Sequence, residues 1–307
     1  MNEVIIIENV SMKFNKGKVN ALNDISFNIS SNEIFGLIGP DGAGKTTLFR
    51  IMTTLILPSN GEVKILGLNT TKDYKQIRQV IGYVPGKFSL YHDLTVFENL
   101  NFFASIYKTS IEENYDLIKD IFVHLEPFKD RKAGKLSGGM KQKLALCCAL
   151  INKPKILFLD EPTTGIDPVS RIEFWETIIK LKKSDITIVV STPYMDEAKL
   201  CNRIALIFNG VILNISRPEA LISNFKDKVI KIKSDSNSKL KKVLSDFDKS
   251  INSYYYGDSI HLVISEDSNI TQEDIFTFLN QKDIIINEIS LITPTIEDCF
   301  IKYLTNG

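Results

Sequence analysis

Residues 34–47 read IFGLIGPDGAGKTT, and the fold class turns on this stretch. An apolar, strand-like run enters a glycine-rich loop, and LFRIMTTLIL at 48–57 leaves it with helical spacing. The order is strand, tight loop, helix. Gly39 to Thr46 fits the pattern G-x-x-x-x-G-K-[ST] in full. Glycines let backbone amides curl around an anion without interference from Cβ, and the helix behind them adds the positive end of its dipole. Lys45 would then reach the β- and γ-phosphates, and the Thr46 hydroxyl would ligate Mg²⁺. The candidate phosphate contacts are Gly39, Pro40, Asp41, Gly42, Ala43, Gly44, Lys45, Thr46 and Thr47. On its own the loop names a nucleoside triphosphate and no activity.

A second element lies roughly 115 residues downstream, in KILFLDEPTTGIDP. Asp160 ends a continuously apolar run that reads as a buried parallel strand, so its carboxylate emerges where the phosphates would sit. It is placed to hold Mg²⁺ through water. Glu161, next along, points differently and is the candidate general base. A third element, LSGGM at 136–140, precedes KQKLALCCALI. Ser137 stands at an N-cap, and Gly138 and Gly139 leave the first helix amides bare, which makes another anion-binding helix start. Since that second start has no lysine of its own, it suggests service to a neighbour's nucleotide.

Around these motifs the first 224 residues read as an α/β domain with a helical insert at about 87–152, opened by a Thr95/Glu98 capping box. TIVVST at 187–192 is a further buried strand. After residue 224 the texture changes to β-α-β-β-α-β-α. Gly257-Asp258 forms a hairpin turn, and Thr271/Asp274 and Thr295/Asp298 resemble capping pairs. Residues 225–307 are expected to form a small α+β domain of ferredoxin-like split topology. Lys plus Arg and Asp plus Glu number 37 each among 307 residues, so no global field recruits nucleic acid or anionic lipid. The four cysteines lack metal-ligand spacing and read as small core fillers in a reduced compartment. The N-terminal MNEVIIIENV is not of signal-peptide type, and no apolar run approaches the roughly 20 residues of a membrane helix.

Taken together, GPDGAGKTT, IGYVPGKFSLYHDLTVFENL, LSGGM, ILFLDEP and GIDP with Asp167 resemble, in order, the motifs of ATP-binding cassette (ABC) transporter ATPase subunits. The resemblance covers roughly residues 3–224 and implies a P-loop cassette with a mixed sheet and a helical subdomain. It implies ATP and Mg²⁺ as cofactors, and two subunits closing head to tail on ATP, each site completed by the partner's Ser137, Gly138 and Gly139. Asp167 belongs to the loop at that dimer junction. Phe14 matches the family's adenine-stacking aromatic, while its reading as a core side chain stays open. The C-terminal segments are similar to small domains on drug-efflux exporters, whose ATPases pair with separate membrane permeases at the cytoplasmic face of the membrane. The loop that receives a permease helix in the family carries Phe88, Leu90, Tyr91 and Leu94 here.

Two positions depart from the family pattern. Gly86 stands where most members have the glutamine that orients Mg²⁺ and water, and Pro193 where they have the histidine that touches the γ-phosphate. Proline offers no backbone donor and no polar side chain. Because Lys45, Thr46, Asp160 and Glu161 are retained, the expectation is an ATPase that is slow or unusually gated, with the Tyr194 or Thr192 hydroxyl taking over the missing contact. The alternative is a catalytically degenerate, regulatory partner of an active subunit. A heteromer is favoured over a homodimer, since a homodimer would contain two altered sites.

Overall fold

The computed structural model describes residues 2–247 and 252–305. Contacts divide it into two units, Met1–Pro218 and Glu219–Gly307. In chain order the first unit holds β1 (Glu3–Phe14), β2 (Val19–Ser30), β3 (Ile34–Ile38), α1 (Lys45–Met52), β4 (Asn60–Ile65), β5 (Leu68–Asn69), α2 (Tyr74–Val80) and β6 (Ile81–Val84). It continues through α3 (Val96–Ile106), α4 (Tyr115–Phe122), α5 (Gly138–Leu150), β7 (Ile156–Asp160), α6 (Pro168–Leu181), β8 (Thr187–Thr192), β9 (Arg203–Phe208) and β10 (Val211–Ser216). Then follow α7 (Pro218–Ser223), β11 (Lys228–Ser234), α8 (Asn237–Leu244), β12 (Asn252–Tyr256), β13 (Ser259–Ile264), α9 (Gln272–Gln281), β14 (Ile286–Ile292) and α10 (Ile296–Thr305). Ile251, the first residue of the sequence run INSYYY that precedes the Gly257 turn, lies outside the described residues.

Two sheets build the first unit: an antiparallel one in the order β2-β1-β4-β5, and a six-stranded one in the order β10-β9-β3-β8-β7-β6. All of the second sheet is parallel except β10 against β9. Its central strands, IFGLI, ILFLD and TIVVST, are buried along their whole length, as strands covered on both faces must be. Phe49 of α1 meets Phe158 of β7 edge to face, 5.9 Å between centroids, so the helix behind the phosphate loop is locked to the strand that carries Asp160. Burying a side chain of that size contributes about 2–3 kcal/mol. Helical spacing runs on to Leu57, yet α1 stops at Met52. Thr53 Oγ1 bonds back to the Phe49 carbonyl at 2.8 Å, and Thr54 takes a φ of +64°. Arg78 holds that turn by bonding both Thr54 Oγ1 and its carbonyl, each at 2.8 Å.

The helical insert consists of α3, α4 and α5. Thr95 caps α3 reciprocally with Glu98: Glu98 N donates to Thr95 Oγ1 at 3.1 Å, and Thr95 N to the Glu98 carboxylate at 2.7 Å. All four cysteines are buried and unbridged. Among the described residues no helix is long and apolar enough to cross a membrane.

The second unit is a four-stranded sheet in the order β12-β13-β11-β14, every neighbour antiparallel. Numbered from its own first strand this is 2-3-1-4, the split topology of a ferredoxin-like fold. Its core gathers Ile230, Ile232, Leu240, Leu262, Ile275 and Leu279. The contact boundary falls before Glu219 rather than after residue 224, because Leu221 is buried and its carbonyl accepts from Cys299 Sγ of α10 at 3.6 Å.

A buried polar node anchors α10. Asp298 caps the helix through Thr295 N at 2.5 Å and Thr295 Oγ1 at 2.7 Å, while its other oxygen takes His261 Nδ1 at 2.7 Å and the Tyr254 hydroxyl. Burial pushes the Asp298 carboxyl up, but the bonds from His261, Tyr254 and Thr295 outweigh it and hold it below the ordinary carboxylate range. A carboxyl depressed in the folded state stabilises above its unfolded value of about 3.9 and loses that contribution as pH falls through the folded value. Asp298→Asn is therefore expected to cost about 1–3 kcal/mol at neutral pH. In thermal melts, the gap from wild type should narrow below about pH 4.

Candidate functional site

The loop between β3 and α1 adopts a shape that only glycine permits at two points. A Cβ on Gly39 would lie 2.1 Å from the Ile207 carbonyl oxygen. Gly44 sits at φ +107°, and a Cβ there would meet the Ala21 carbonyl at 2.7 Å. No side chain caps α1 at Gly44. Gly42, at φ +78°, has open space where a Cβ would stand. Lys45 is only 3% exposed. Its ammonium donates to the carbonyls of Gly39 at 2.8 Å and Pro40 at 2.9 Å, and lies 3.0 Å from Glu161 Oε1. Pro40 and Asp41 form the outer turn, Ala43 is buried beneath it, and Thr47 follows in the first turn of α1.

Strand order sets the remaining geometry. β8 lies between β3 and β7, so Asp160 reaches the loop across one intervening strand. Its Oδ1 accepts Thr46 Oγ1 at 3.2 Å and Ser191 Oγ at 2.6 Å. Burial, aided by the charge of Glu161, raises the Asp160 carboxyl above its ordinary value against the restraint of the Ser191 and Thr46 hydrogen bonds. Glu161 turns out of the strand at φ +50°, and its amide bonds Ser191 Oγ at 3.0 Å. Lys45, Thr46, Asp160 and Glu161 thus meet in one place. The hard oxygens of Thr46 and Asp160 suit a magnesium ion, and the lysine and glycine loop suit a polyphosphate.

Gly86 borders this cluster, since a Cβ there would lie 3.0 Å from the Asp160 carbonyl oxygen and 3.8 Å from Glu161 Cβ. Pro193 follows β8, whose last residue Thr192 pairs with Ile38 at the start of the loop. Thr192 is fully buried, and its Oγ1 accepts Tyr194 N at 3.0 Å. The Tyr194 ring lies under Arg171, 4.3 Å from guanidinium carbon to centroid. Arg171 and Thr163 both bond Glu197 Oε1, at 2.6 and 2.7 Å, tying the turn after Pro193 to the loop after Glu161.

Ser137 caps α5, accepting Met140 N at 3.3 Å. Ser137 and Gly138 are exposed, whereas Gly139 is buried against α6, where a Cβ would meet Ser170 Oγ at 2.6 Å. Asp167 caps α6 by accepting Ser170 N at 2.9 Å, and hydrogen bonding from Ser170 lowers its carboxyl. Residues 137–139 and 167 therefore adjoin each other. Among the described residues, no hydrogen bond joins them to the phosphate loop. Phe14 ends β1 and is 37% exposed, so it is not a core side chain.

Of the four loop residues, Tyr91 is half exposed and lies edge-on to Phe102 at 4.8 Å. Phe88 lies edge-on to His92 at 5.1 Å beneath the Lys141 ammonium. Asn99, fully buried, fixes the turn by exchanging bonds of 3.0 Å each with the backbone of Tyr91, and by donating to the Leu94 carbonyl at 3.3 Å. Leu90 is only 7% exposed, which removes it from the outer face. It lines a groove of about 330 Å³ with Leu55, Tyr83, Phe103, Tyr107 and Cys148. Sequence reading missed Leu55, Phe103 and Tyr107. The i, i+4 spacing of Phe103 and Tyr107 in an aromatic-rich helix was the available signal.

The ABC transporter family model matches residues 22–164. The chain is 37% identical over 309 residues to the probable multidrug ABC transporter ATP-binding protein YbhF of Escherichia coli, covering 99% of this chain but 53% of that protein's length. It is 38% identical over 249 residues to the Nod factor export ATP-binding protein I of Burkholderia lata, covering 80% of this chain and 81% of that one. Among solved structures, the dimeric post-hydrolysis state of the ATP-binding cassette MJ0796 bound to ADP and Pi matches at TM-score 0.63 and 29% identity, over 69% of this chain and 98% of that one. The cbiO1 protein of Clostridium perfringens, part of a cbiONQ transporter complex, matches at TM-score 0.65 and 25% identity, over 73% and 92%.

Proposed function

The chain belongs to the ABC transporter ATP-binding family, and on that premise we propose that it binds and hydrolyses ATP to power export through separate membrane permease subunits. The observation that carries the reading is the convergence of Lys45 and Thr46, at the start of α1 after β3, with Asp160 and Glu161, at the end of the non-neighbouring β7, through the Lys45–Glu161 and Thr46–Asp160 contacts. In this reading Gly39–Thr47 holds the triphosphate, with Lys45 at its terminal phosphates. Thr46 and Asp160 hold Mg²⁺, which when bound neutralises phosphate charge. Glu161 accepts the proton of the attacking water. Phe14, exposed at the end of β1, stacks on adenine.

Ser137, Gly138 and Gly139 act on the nucleotide of a second subunit, arranged head to tail, with Asp167 at the junction. The exposure of Ser137 and Gly138, and the lack of any hydrogen bond to the chain's own phosphate loop among the described residues, support this. The permease helix docks on the Phe88–Leu94 turn and the adjoining groove, which places the protein peripherally at the cytoplasmic face of the membrane. A partly exposed aromatic and aliphatic surface suits helix-in-groove binding.

Gly86 and Pro193 set the rate. Losing one preorganised donor typically lowers turnover about 100- to 1,000-fold, and two such losses need not multiply. We infer a slow or gated ATPase that works beside a second, different cassette subunit. Tyr194 is the better substitute for the missing contact, because Thr192 is fully buried and its oxygen serves the Tyr194 amide. The second reading, a regulatory ATP-binding partner without turnover, rests on those same two positions.

Two measurements check these assignments. Glu161→Gln should lower ATP turnover by about 100-fold or more relative to wild type, and equal rates would favour the regulatory reading. A Phe88→Ala, Tyr91→Ala double variant should lose co-purification with its permease while its ATP affinity stays within about twofold.

A further inference from the structure

Ser191 carries no motif of its own, yet it touches both acidic residues of the site. It lies on β8 directly opposite Asp160 of β7 and has no solvent exposure. Its Oγ donates to Asp160 Oδ1 at 2.6 Å and accepts from Glu161 N at 3.0 Å. A carboxylate can only accept and an amide can only donate, so the single hydroxyl proton is committed to Asp160 and a lone pair to Glu161. Glu161 also holds a left-handed backbone at φ +50°, which needs outside support.

We propose that Ser191 is a positioning residue for the metal-dependent step of nucleotide binding, one hydroxyl fixing at once the Asp160 carboxylate for Mg²⁺ and the main chain that carries Glu161. The proposal rests on the Mg²⁺–ATP reading of the site. Without the hydroxyl, Asp160 Oδ1 keeps only the longer bond from Thr46, 3.2 Å, and the carboxylate can turn away from the metal position. The Glu161 amide keeps the Ser191 carbonyl at 3.1 Å, so the strand pairing survives. The defect should therefore fall on metal dependence and not on folding. Partners that orient metal ligands typically govern about 10- to 100-fold in metal affinity.

The test titrates ATP by calorimetry into purified wild type, Ser191→Ala and Ser191→Thr, once with chelator and once with Mg²⁺. Metal-free affinity of Ser191→Ala should stay within about twofold of wild type, while the gain on adding Mg²⁺ should shrink about tenfold. Ser191→Thr, which keeps the hydroxyl, should recover most of that gain. Half-maximal turnover should need about tenfold more Mg²⁺ in the alanine variant. Thermal melts confirm that each variant is folded. An unchanged Mg²⁺ gain in Ser191→Ala, or an equal loss with and without metal, would overturn the proposal. Wild-type ATP affinity in chelator, read in the same experiment, reports separately on the nucleotide reading itself.

Discussion

A buried ammonium organises the first unit. Lys45 sits almost wholly out of water, and a lone charge so placed costs several kcal/mol unless partners surround it. Its three partners come from separate places: two carbonyls of the loop that follows β3, and the carboxylate of Glu161, just past β7. To bring them together the chain needs a loop tight enough to turn its carbonyls inward. It also needs a sheet in which β8 spaces the two strands, and a residue willing to leave β7 in a left-handed conformation. Gly39 and Gly44 meet the first condition, and the Phe49–Phe158 contact fixes the helix against the strand. The cradle is a consequence of where one charge must go.

Pro193 follows from the same geometry. β8 runs between the two functional strands, so whatever follows Thr192 comes out beside the phosphate loop. Proline there contributes shape and no hydrogen bond. The polar work falls to neighbours: Ser191 behind it bridges Asp160 and Glu161, and Glu197 ahead of it ties Thr163 to Arg171. The strand end keeps its connections to the acidic loop although proline itself supplies no polar side chain.

Much of this was legible in the sequence, because the features are local. The phosphate loop, the strand ending in Asp160, the caps at Thr95, Ser137, Thr271 and Thr295, and the split β-α-β-β-α-β order all follow from short-range pattern, and each is present in the structure. What escaped depends on contacts distant in sequence. α1 ends at Met52 because Arg78, 24 residues on, claims the Thr54 turn. Gly139 is glycine because Ser170 presses on it. Leu90 looks like its exposed neighbours but lines the floor of a groove built by α3, α5 and β6. Ser191 resembles any strand serine until strand order sets it opposite Asp160. The second unit holds α10 by a buried Asp298 node whose partners lie 37 and 44 residues away, so spacing alone shows only the Thr295 cap.

The central claim is that the Lys45 cradle is a seat for ATP. The most direct measurement is calorimetric titration of ATP with Mg²⁺ into wild type and Lys45→Ala, with circular dichroism confirming that both are folded. The account predicts saturable binding by wild type, weakened about tenfold or more by the substitution, as expected for a charge-assisted contact. Equal affinities in two folded proteins would contradict it.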